Sequence, residues 1–148
     1  SETLYRFSLA AKQAVGKSHE AVGLLEQAVT LAPSNPAIRF ELANSFIGLK
    51  KFDDALMHVE IANALQPSNP RVLAALGYTW FNLNNPQIAI EFFEQSVKLA
   101  PTFALAWFHL GNAQELIGDI NAAKESFEVA VQLQPTFTAA KEALNRLD

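Results

Sequence analysis

The stretch that decides the fold spans residues 70–103 and reads PRVLAALGYTWFNLNNPQIAIEFFEQSVKLAPTF. The next 34 residues, 104–137, read ALAWFHLGNAQELIGDINAAKESFEVAVQLQPTF and align with it without a gap. The same interval of 34 residues separates four prolines along the chain, which are Pro33, Pro67, Pro101 and Pro135. A period of this length indicates one supersecondary unit copied end to end, because each copy can bury its apolar face only against its neighbours.

The period divides the chain into four units and a remainder. The units are 2–35, 36–69, 70–103 and 104–137, and the remainder, 138–148, resembles the start of a further copy. Within a unit, two stretches of about a dozen residues carry apolar side chains at steps of three and four, which is helical periodicity. In the second unit they are Ala37–Leu49 and Asp53–Leu65. We therefore predict one all-α domain over 1–148, built from four helix pairs and a C-terminal capping helix.

Helix start and stop signals lie where antiparallel helix pairs need them. Asn35-Pro36 and Asn69-Pro70 offer a capping side chain followed by proline at the first helical position. In the later units we expect Thr102 and Thr136 to cap instead. The breaks inside units are expected at Gly16, at Asn84-Asn85-Pro86 and at Gly118-Asp119.

The large and small residues of each unit resemble those of the tetratricopeptide repeat family. The fourth unit matches that pattern with Trp107, Leu110, Gly111, Gln114, Ala123, Phe127, Ala130 and Pro135. The third matches with Leu73, Leu76, Gly77, Trp80, Ala89, Phe93, Ser96 and Pro101, and the second with Arg39, Leu42, Ala43, Phe46, Ala55, Val59, Ala62 and Pro67. Gln114 and Arg39 depart from it, and the first unit is weaker, with Ser8, Leu9 and Lys12 at its pattern positions. The resemblance implies a right-handed superhelical solenoid of four antiparallel helix pairs plus the capping helix.

Small residues recur where helices must approach closely. We expect Ala21, Ala55, Ala89 and Ala123 at these contacts, since a larger side chain would overpack them. Gly77 and Gly111 are expected to do the same in the first helices, at a cost of roughly 1 kcal/mol in helix propensity. The expected core and interlayer side chains are Leu42, Leu76, Leu110, Trp80, Phe93, Trp107 and Phe127.

The resemblance implies that the first helix of each pair lines a concave groove. The residues expected to bind a peptide there are Phe40, Asn44, Ile47, Arg71, Tyr78, Phe81, Asn82, Leu105, Phe108, His109, Asn112 and Glu115. The amide side chains can donate to and accept from the backbone of an extended peptide. The aromatic rings offer apolar pockets for its side chains, or for the stripe of an amphipathic helix.

One kind of ligand is excluded by the residues at these positions. Some members of the family hold a C-terminal carboxylate with Lys, Asn and Arg side chains from three units. The matching positions here read Arg6, Ala10, Glu41, Arg71 and Ala75 in one frame. In the next frame they read Phe40, Asn44, Ala75, Leu105 and His109. Neither set carries the clamp, and the Glu41 carboxylate would repel such a ligand.

Composition narrows the function classes further. The chain is 50% hydrophobic and 18% charged, which is typical of a folded protein. Its net charge of −4, with eleven Lys and Arg spread thinly, argues against nucleic acid as a partner. We expect no metal site, cofactor or catalytic constellation, and no apolar run long enough to insert in a membrane. The lack of cysteine fits a reducing compartment such as the cytoplasm, and a periplasm equally. The start at Ser1, with Met57 as the only methionine, indicates a fragment.

Three functions fit this pattern. The first is a non-catalytic interaction module that binds a peptide or helix of a partner protein in its groove, as a scaffold or adaptor. The second is the recognition segment of a larger enzyme, such as a transferase or hydroxylase. The third is a self-assembling scaffold, although a monomer is favoured because Lys141, Glu142, Asn145 and Arg146 keep the C-terminal end polar.

Overall fold

The computed structural model describes Thr3, Arg6, Ala10 and residues 18–148. Those three N-terminal residues are helical and exposed. Residues 18–148 form eight α-helices and no strand, so the all-α prediction is confirmed for this part of the chain. The helices are α1 (Ser18–Leu31), α2 (Pro36–Gly48), α3 (Phe52–Leu65), α4 (Pro70–Asn82), α5 (Pro86–Leu99), α6 (Ala104–Leu116), α7 (Ile120–Leu133) and α8 (Thr138–Leu147). The expected break at Gly16 and the weak matches Ser8, Leu9 and Lys12 lie outside the described residues.

The chain divides into two compact units, Ser1–Ser68 and Asn69–Asp148. In the first unit, α2 packs against both α1 and α3. In the second, α4 pairs with α5 and α6 pairs with α7, while α5 packs on α6 and α7 packs on α8. The first helices α4 and α6 also touch each other. Each pair is a helical hairpin joined by a turn of three residues.

The turn inside each hairpin uses one residue in the left-handed conformation. These residues share the fifteenth position of the repeat and are Lys50 at φ 58°, Asn84 at φ 63° and Gly118 at φ 87°. Asn and Gly suit a positive φ, whereas Lys does not. The next helix then starts with a side-chain cap where the sequence provides one. Asn85 accepts from the Ile88 N–H, and Asp119 from the Ala122 N–H.

The starts of the first helices are only partly as predicted. Asn35 accepts hydrogen bonds from the N–H groups of Ala37 and Ile38, at 3.0 and 3.2 Å, and Asn69 accepts from Arg71 at 3.0 Å. Both caps are therefore confirmed.

The expectation that Thr102 and Thr136 cap was wrong. The cap positions of α6 and α8 belong to Phe103 and Phe137, whose side chains cannot accept a hydrogen bond. Each threonine lies one residue too early. The phenylalanines instead pack their rings: Phe103 lies against the core around Phe93, and Phe137 lies 4.9 Å from Phe108. Apolar contact thus replaces the side-chain cap in these two repeats.

The predicted close approaches are confirmed. Ala21 is 6% exposed, and Ala55, Ala89 and Ala123 are completely buried. The core leucines Leu42, Leu76 and Leu110 are also buried, as are Phe93 and Phe127, while Trp80 and Trp107 are half-buried.

Two positions in each hairpin compensate each other in size. A Cβ added at Gly77 would lie 2.7 Å from the Phe93 ring, and one added at Gly111 would lie 2.6 Å from the Phe127 ring. The repeat 36–69 has Val59 at the position of these phenylalanines, and there the glycine is replaced by Ala43. All of these side chains are buried. A large ring on the second helix of a hairpin is therefore matched by a missing methyl group on the first.

The two departures from the family pattern are integrated into the packing. Arg39 donates from Nε to the Pro33 carbonyl at 3.2 Å, and Trp107, at the same repeat position, donates from Nε1 to the Pro101 carbonyl at 2.9 Å. Gln114 accepts from Ser126 Oγ at 2.6 Å. Arg39 and Gln114 therefore each form a hydrogen bond to a neighbouring segment, which the sequence pattern did not predict.

His58 belongs to the core of the first unit. It is buried and stacks on Phe46 with a centroid distance of 5.5 Å, and the Arg39 guanidinium donates to its Nδ1. Burial, and next the Arg39 charge, lower the pKa of His58, while Glu26 and Asp54 partly oppose this. His58 is therefore a packed residue of this core and not a solvated surface side chain.

Candidate peptide-binding surface

None of the twelve predicted site residues is fully buried. Arg71 and Leu105 are exposed, and the other ten are half-buried. Their side chains are therefore reachable from solvent although most of them are aromatic, aliphatic or amide groups. A hairpin core would have enclosed such rings completely.

Six of these residues lie on the two neighbouring helices α4 and α6 and define what we call the α4–α6 surface. They are Tyr78, Phe81, Phe108, His109, Asn112 and Glu115. The pairing of α4 with α6 follows from the repeat, because the first helices of successive hairpins stack side by side. Residues 34 positions apart, such as Tyr78 and Asn112, thus come from equivalent places on adjacent helices.

The centre of this surface is a cluster of four aromatic rings. The His109 ring centroid lies 5.0 Å from Tyr78, 5.5 Å from Phe108 and 5.8 Å from Phe93. Burial among these rings lowers the pKa of His109 to about 4. The imidazole is therefore neutral at pH 7, with one ring nitrogen able to donate a hydrogen bond and the other able to accept one.

A shallow open depression of about 350 Å³ lies beside the ring cluster. Phe81 forms one side, and Asn112, Glu115 and Leu116 form the other. The structure therefore brings together three residues that the sequence predicted separately. The depression offers an aromatic face, an aliphatic side chain and an amide in one place, which suits a peptide side chain and its flanking backbone.

The polar side chains around the depression differ in the hydrogen bonds that they form within the chain. Asn82 donates from Nδ2 to the Tyr78 carbonyl at 2.8 Å, so one of its donors is used within α4. Glu115 accepts from Arg146 Nη2 through both carboxylate oxygens, at 2.9 and 2.8 Å. Among the described residues, the Asn112 side chain forms no hydrogen bond. Its amide is thus the best-placed free donor and acceptor of the surface.

Arg146 was not among the predicted site residues. It lies on α8, 34 positions after Asn112, and its side chain is 59% exposed. Extending the 34-residue repeat into α8 would have identified Arg146, because α8 corresponds to the first helix of a fifth repeat. Phe137 was not predicted either, and its ring packs on Phe108 at the edge of the ring cluster.

Five further predicted residues are not among the six that define this surface. Phe40, Asn44 and Ile47 belong to α2 in the first unit, where Ile47 packs partly against the buried core. Asn44, like Asn112, forms no side-chain hydrogen bond within the described part of the chain. Arg71 and Leu105 begin α4 and α6, and neither lines the depression.

Neither a metal cluster nor a membrane span was found in the part of the chain that the structure describes. Residues 18–148 contain no group of three His, Asp or Glu side chains placed to hold a metal ion. None of the described helices combines the length and the apolar character needed to cross a bilayer.

Comparison with protein families gives two matches to the tetratricopeptide repeat. One model of this repeat matches residues 13–77. A second model matches residues 70–103 and again 104–137. Together they extend over most of the chain. No curated protein sequence matches it significantly.

Solved structures with the same fold include MamA, from Desulfovibrio magneticus RS-1. It is 17% identical, with a TM-score of 0.88 over 99% of this chain and 84% of that one. The structure of YrrB, described as a TPR protein with an unusual peptide-binding site, is 18% identical, with a TM-score of 0.80 over 98% of this chain and 74% of that one. The first TPR of Spaghetti (RPAP3), bound to the HSP90 peptide SRMEEVD, is 20% identical, with a TM-score of 0.74 over 76% of this chain and 89% of that one. The TM-scores show a shared helical solenoid fold, and at these identities they show the fold alone.

Proposed function

Since the chain belongs to the tetratricopeptide repeat family, we propose that it is a non-catalytic protein–protein interaction module, acting as a scaffold or adaptor. It binds a peptide or helix of a partner protein, and the α4–α6 surface is the centre of the site. In this proposal the four repeats of 2–137 form one domain, and Phe40, Asn44 and Ile47 occupy the corresponding repeat positions of α2.

The observation that carries this proposal is the incomplete burial of the aromatic and amide side chains on α4 and α6. Phe81 and Asn112 both line an open depression, although a phenylalanine of a hairpin core would be enclosed. Burying Phe81 under a ligand would release water from apolar surface at about 25 cal/mol per Å². The free Asn112 amide would at the same time fix the position of a peptide backbone.

Two of the structural neighbours support a peptide as the ligand. The Spaghetti repeat was solved with a peptide bound, and YrrB is described as having a peptide-binding site. The family is generally non-catalytic, which agrees with the neutral, water-accessible character of the α4–α6 surface. A general acid or base would need a titrating group near the working pH, and the one histidine here is held neutral by burial.

Site-specific photo-crosslinking tests the proposal. A benzoylphenylalanine placed at Asn112 should capture a partner from a lysate of the source organism, and mass spectrometry of the adduct then identifies the bound segment. The matched control places the same residue at Gln132, which is exposed on α7. Adducts formed only from the Asn112 position are the expected result.

A substitution pair then checks that the adduct reports binding. Phe81→Ala with Asn112→Ala should abolish capture without loss of helicity, since both side chains line the depression and Phe81 packs only partly buried against the edge of the core. Glu128→Ala with Gln132→Ala, on the exposed side of α7, should leave capture unchanged. Equal adducts from Asn112 and Gln132, or full capture by the Phe81 and Asn112 variant, would refute the proposed site.

A further inference from the structure

His109 combines a packed ring with unused polar atoms. Its imidazole contacts three aromatic rings, yet among the described residues its two ring nitrogens form no hydrogen bond. Asn63 Oδ1 is the one buried side-chain polar atom without a partner among the described residues, so the His109 nitrogens are accessible to solvent. A hydrogen-bonding group of a ligand can therefore reach them as well.

The charge balance around His109 is unusual for a peptide site. Of the six residues that define the α4–α6 surface, only Glu115 has a carboxylate, and the Arg146 guanidinium donates to both of its oxygens. The other polar groups are the neutral imidazole, the Tyr78 hydroxyl and the Asn112 amide. No uncompensated charge therefore faces a ligand on this surface.

A charged ligand group would be disfavoured at such a place. A carboxylate placed against the ring cluster would lose water and gain no cation, because the Arg146 guanidinium is already paired. An ammonium group would likewise lose water, and the Glu115 carboxylate is not free to receive it. The amide groups of a peptide backbone lose less, since a neutral donor and acceptor meet them.

Resting on the proposed function, we propose that the α4–α6 surface selects an uncharged, extended segment of its partner protein. The His109 imidazole and the Asn112 amide hydrogen-bond the backbone of that segment, and Phe81 and Leu116 contact one of its apolar side chains. His109 is then the residue that sets the specificity. Partners that present an acidic tail or a basic stretch to this surface are rejected.

Selection from a random peptide library measures this specificity directly. The immobilised wild-type protein is panned at pH 7, and enriched peptides are synthesised and their affinities measured by isothermal titration calorimetry. The peptides should carry a stretch of several residues without Asp, Glu, Lys or Arg. Replacing residues of that stretch by Asp, one at a time, should weaken binding at least tenfold at the position that contacts His109.

Two variants separate hydrogen bonding from charge. His109→Phe keeps an aromatic ring in the cluster but removes both polar atoms, and should weaken the selected peptides about threefold to tenfold, the worth of one hydrogen bond. Asn112→Lys adds one uncompensated cation on the rim, where the native side chain has no partner to lose. Panned against the same library, Asn112→Lys should enrich acidic peptides instead. Circular dichroism confirms that both variants are folded.

The outcomes distinguish this inference from the function on which it rests. If the enriched peptides bind Phe81→Ala as well as the wild type, or if none is enriched, they do not use this surface and the proposed function fails with the inference. If they depend on Phe81 but carry charges throughout, or bind His109→Phe with unchanged affinity, only the inference is overturned.

Discussion

The compensation between glycine on one helix and phenylalanine on the next can be measured as a coupling energy. A Cβ at Gly77 would lie 2.7 Å from Phe93, closer than real Cβ atoms approach other groups, so the ring or the helix must shift. Overpacking of this kind costs about 1–3 kcal/mol. Alanine is better than glycine in a helix by about 1 kcal/mol. Gly77→Ala should therefore lower the free energy of unfolding by about 1 kcal/mol.

The partner substitution removes the obstacle. Phe93→Val empties part of a buried site and should cost about 3 kcal/mol, less than the upper range for Phe→Ala. In the double variant the new methyl group has room, as it has in the natural pair Ala43 and Val59. The double variant should then lose only about 2 kcal/mol, because the helix propensity of alanine is recovered. The coupling energy between the two positions is about 2 kcal/mol, within the range measured for contacting residues.

Urea unfolding of the wild type, both single variants and the double variant provides the test. Gly23→Ala is the matched control, because a Cβ at Gly23 would meet nothing within 4 Å. It should stabilise the protein by about 1 kcal/mol through helix propensity alone. If the costs of Gly77→Ala and Phe93→Val add to within about 0.5 kcal/mol, the size compensation described here is wrong.

Four further outcomes follow from the structure. Lys50→Gly should stabilise by about 1 kcal/mol in urea unfolding, because Lys50 has a positive φ, and Asn84→Gly should gain less since asparagine tolerates that conformation. Between pH 7 and pH 5 the free energy of unfolding of the wild type should fall by about 2 kcal/mol more than that of His109→Phe, as measured by urea unfolding. The pKa of His109 is about 4 in the native state and about 6.5 in the unfolded chain, so the unfolded chain takes up the proton first as the pH falls. Ala123→Leu should cost about 1–3 kcal/mol by overpacking in a thermal or urea titration, whereas Ala139→Leu on the exposed side of α8 should cost nothing measurable. Sedimentation over a wide concentration range should show a monomer, and association would instead favour self-assembly.

The helices and most of their boundaries followed from local sequence signals. Proline after asparagine marks the starts of α2 and α4, because the capping atom and the fixed φ lie within two residues of each other. The starts of α6 and α8 were not predicted correctly, because their N-cap residues are Phe103 and Phe137. What places them at the cap positions is contact with rings far along the chain, and a local pattern carries no information about such contacts.

The sequence predicted which helix faces carry the candidate site, but it did not predict the side-chain contacts within it. The register identified Phe81, Asn112 and Glu115, which the structure brings together around one depression. It did not show that Arg146 neutralises Glu115, or that His109 is enclosed by three rings. Both depend on side-chain directions and on the position of α8, which a repeat pattern specifies only up to the backbone.

The mutual fit of Gly77 with Phe93 also limits how such proteins can recombine. A chimaera joined inside the turn at Asn84 could combine the first helix of one hairpin with the second helix of another. A front half that carries Ala43 would then meet a back half that carries Phe93, and the two would collide. A crossover between hairpins inherits matched halves together. In chimaeras built from this chain, the whole helical hairpin should therefore be the smallest segment that can be exchanged without steric clashes.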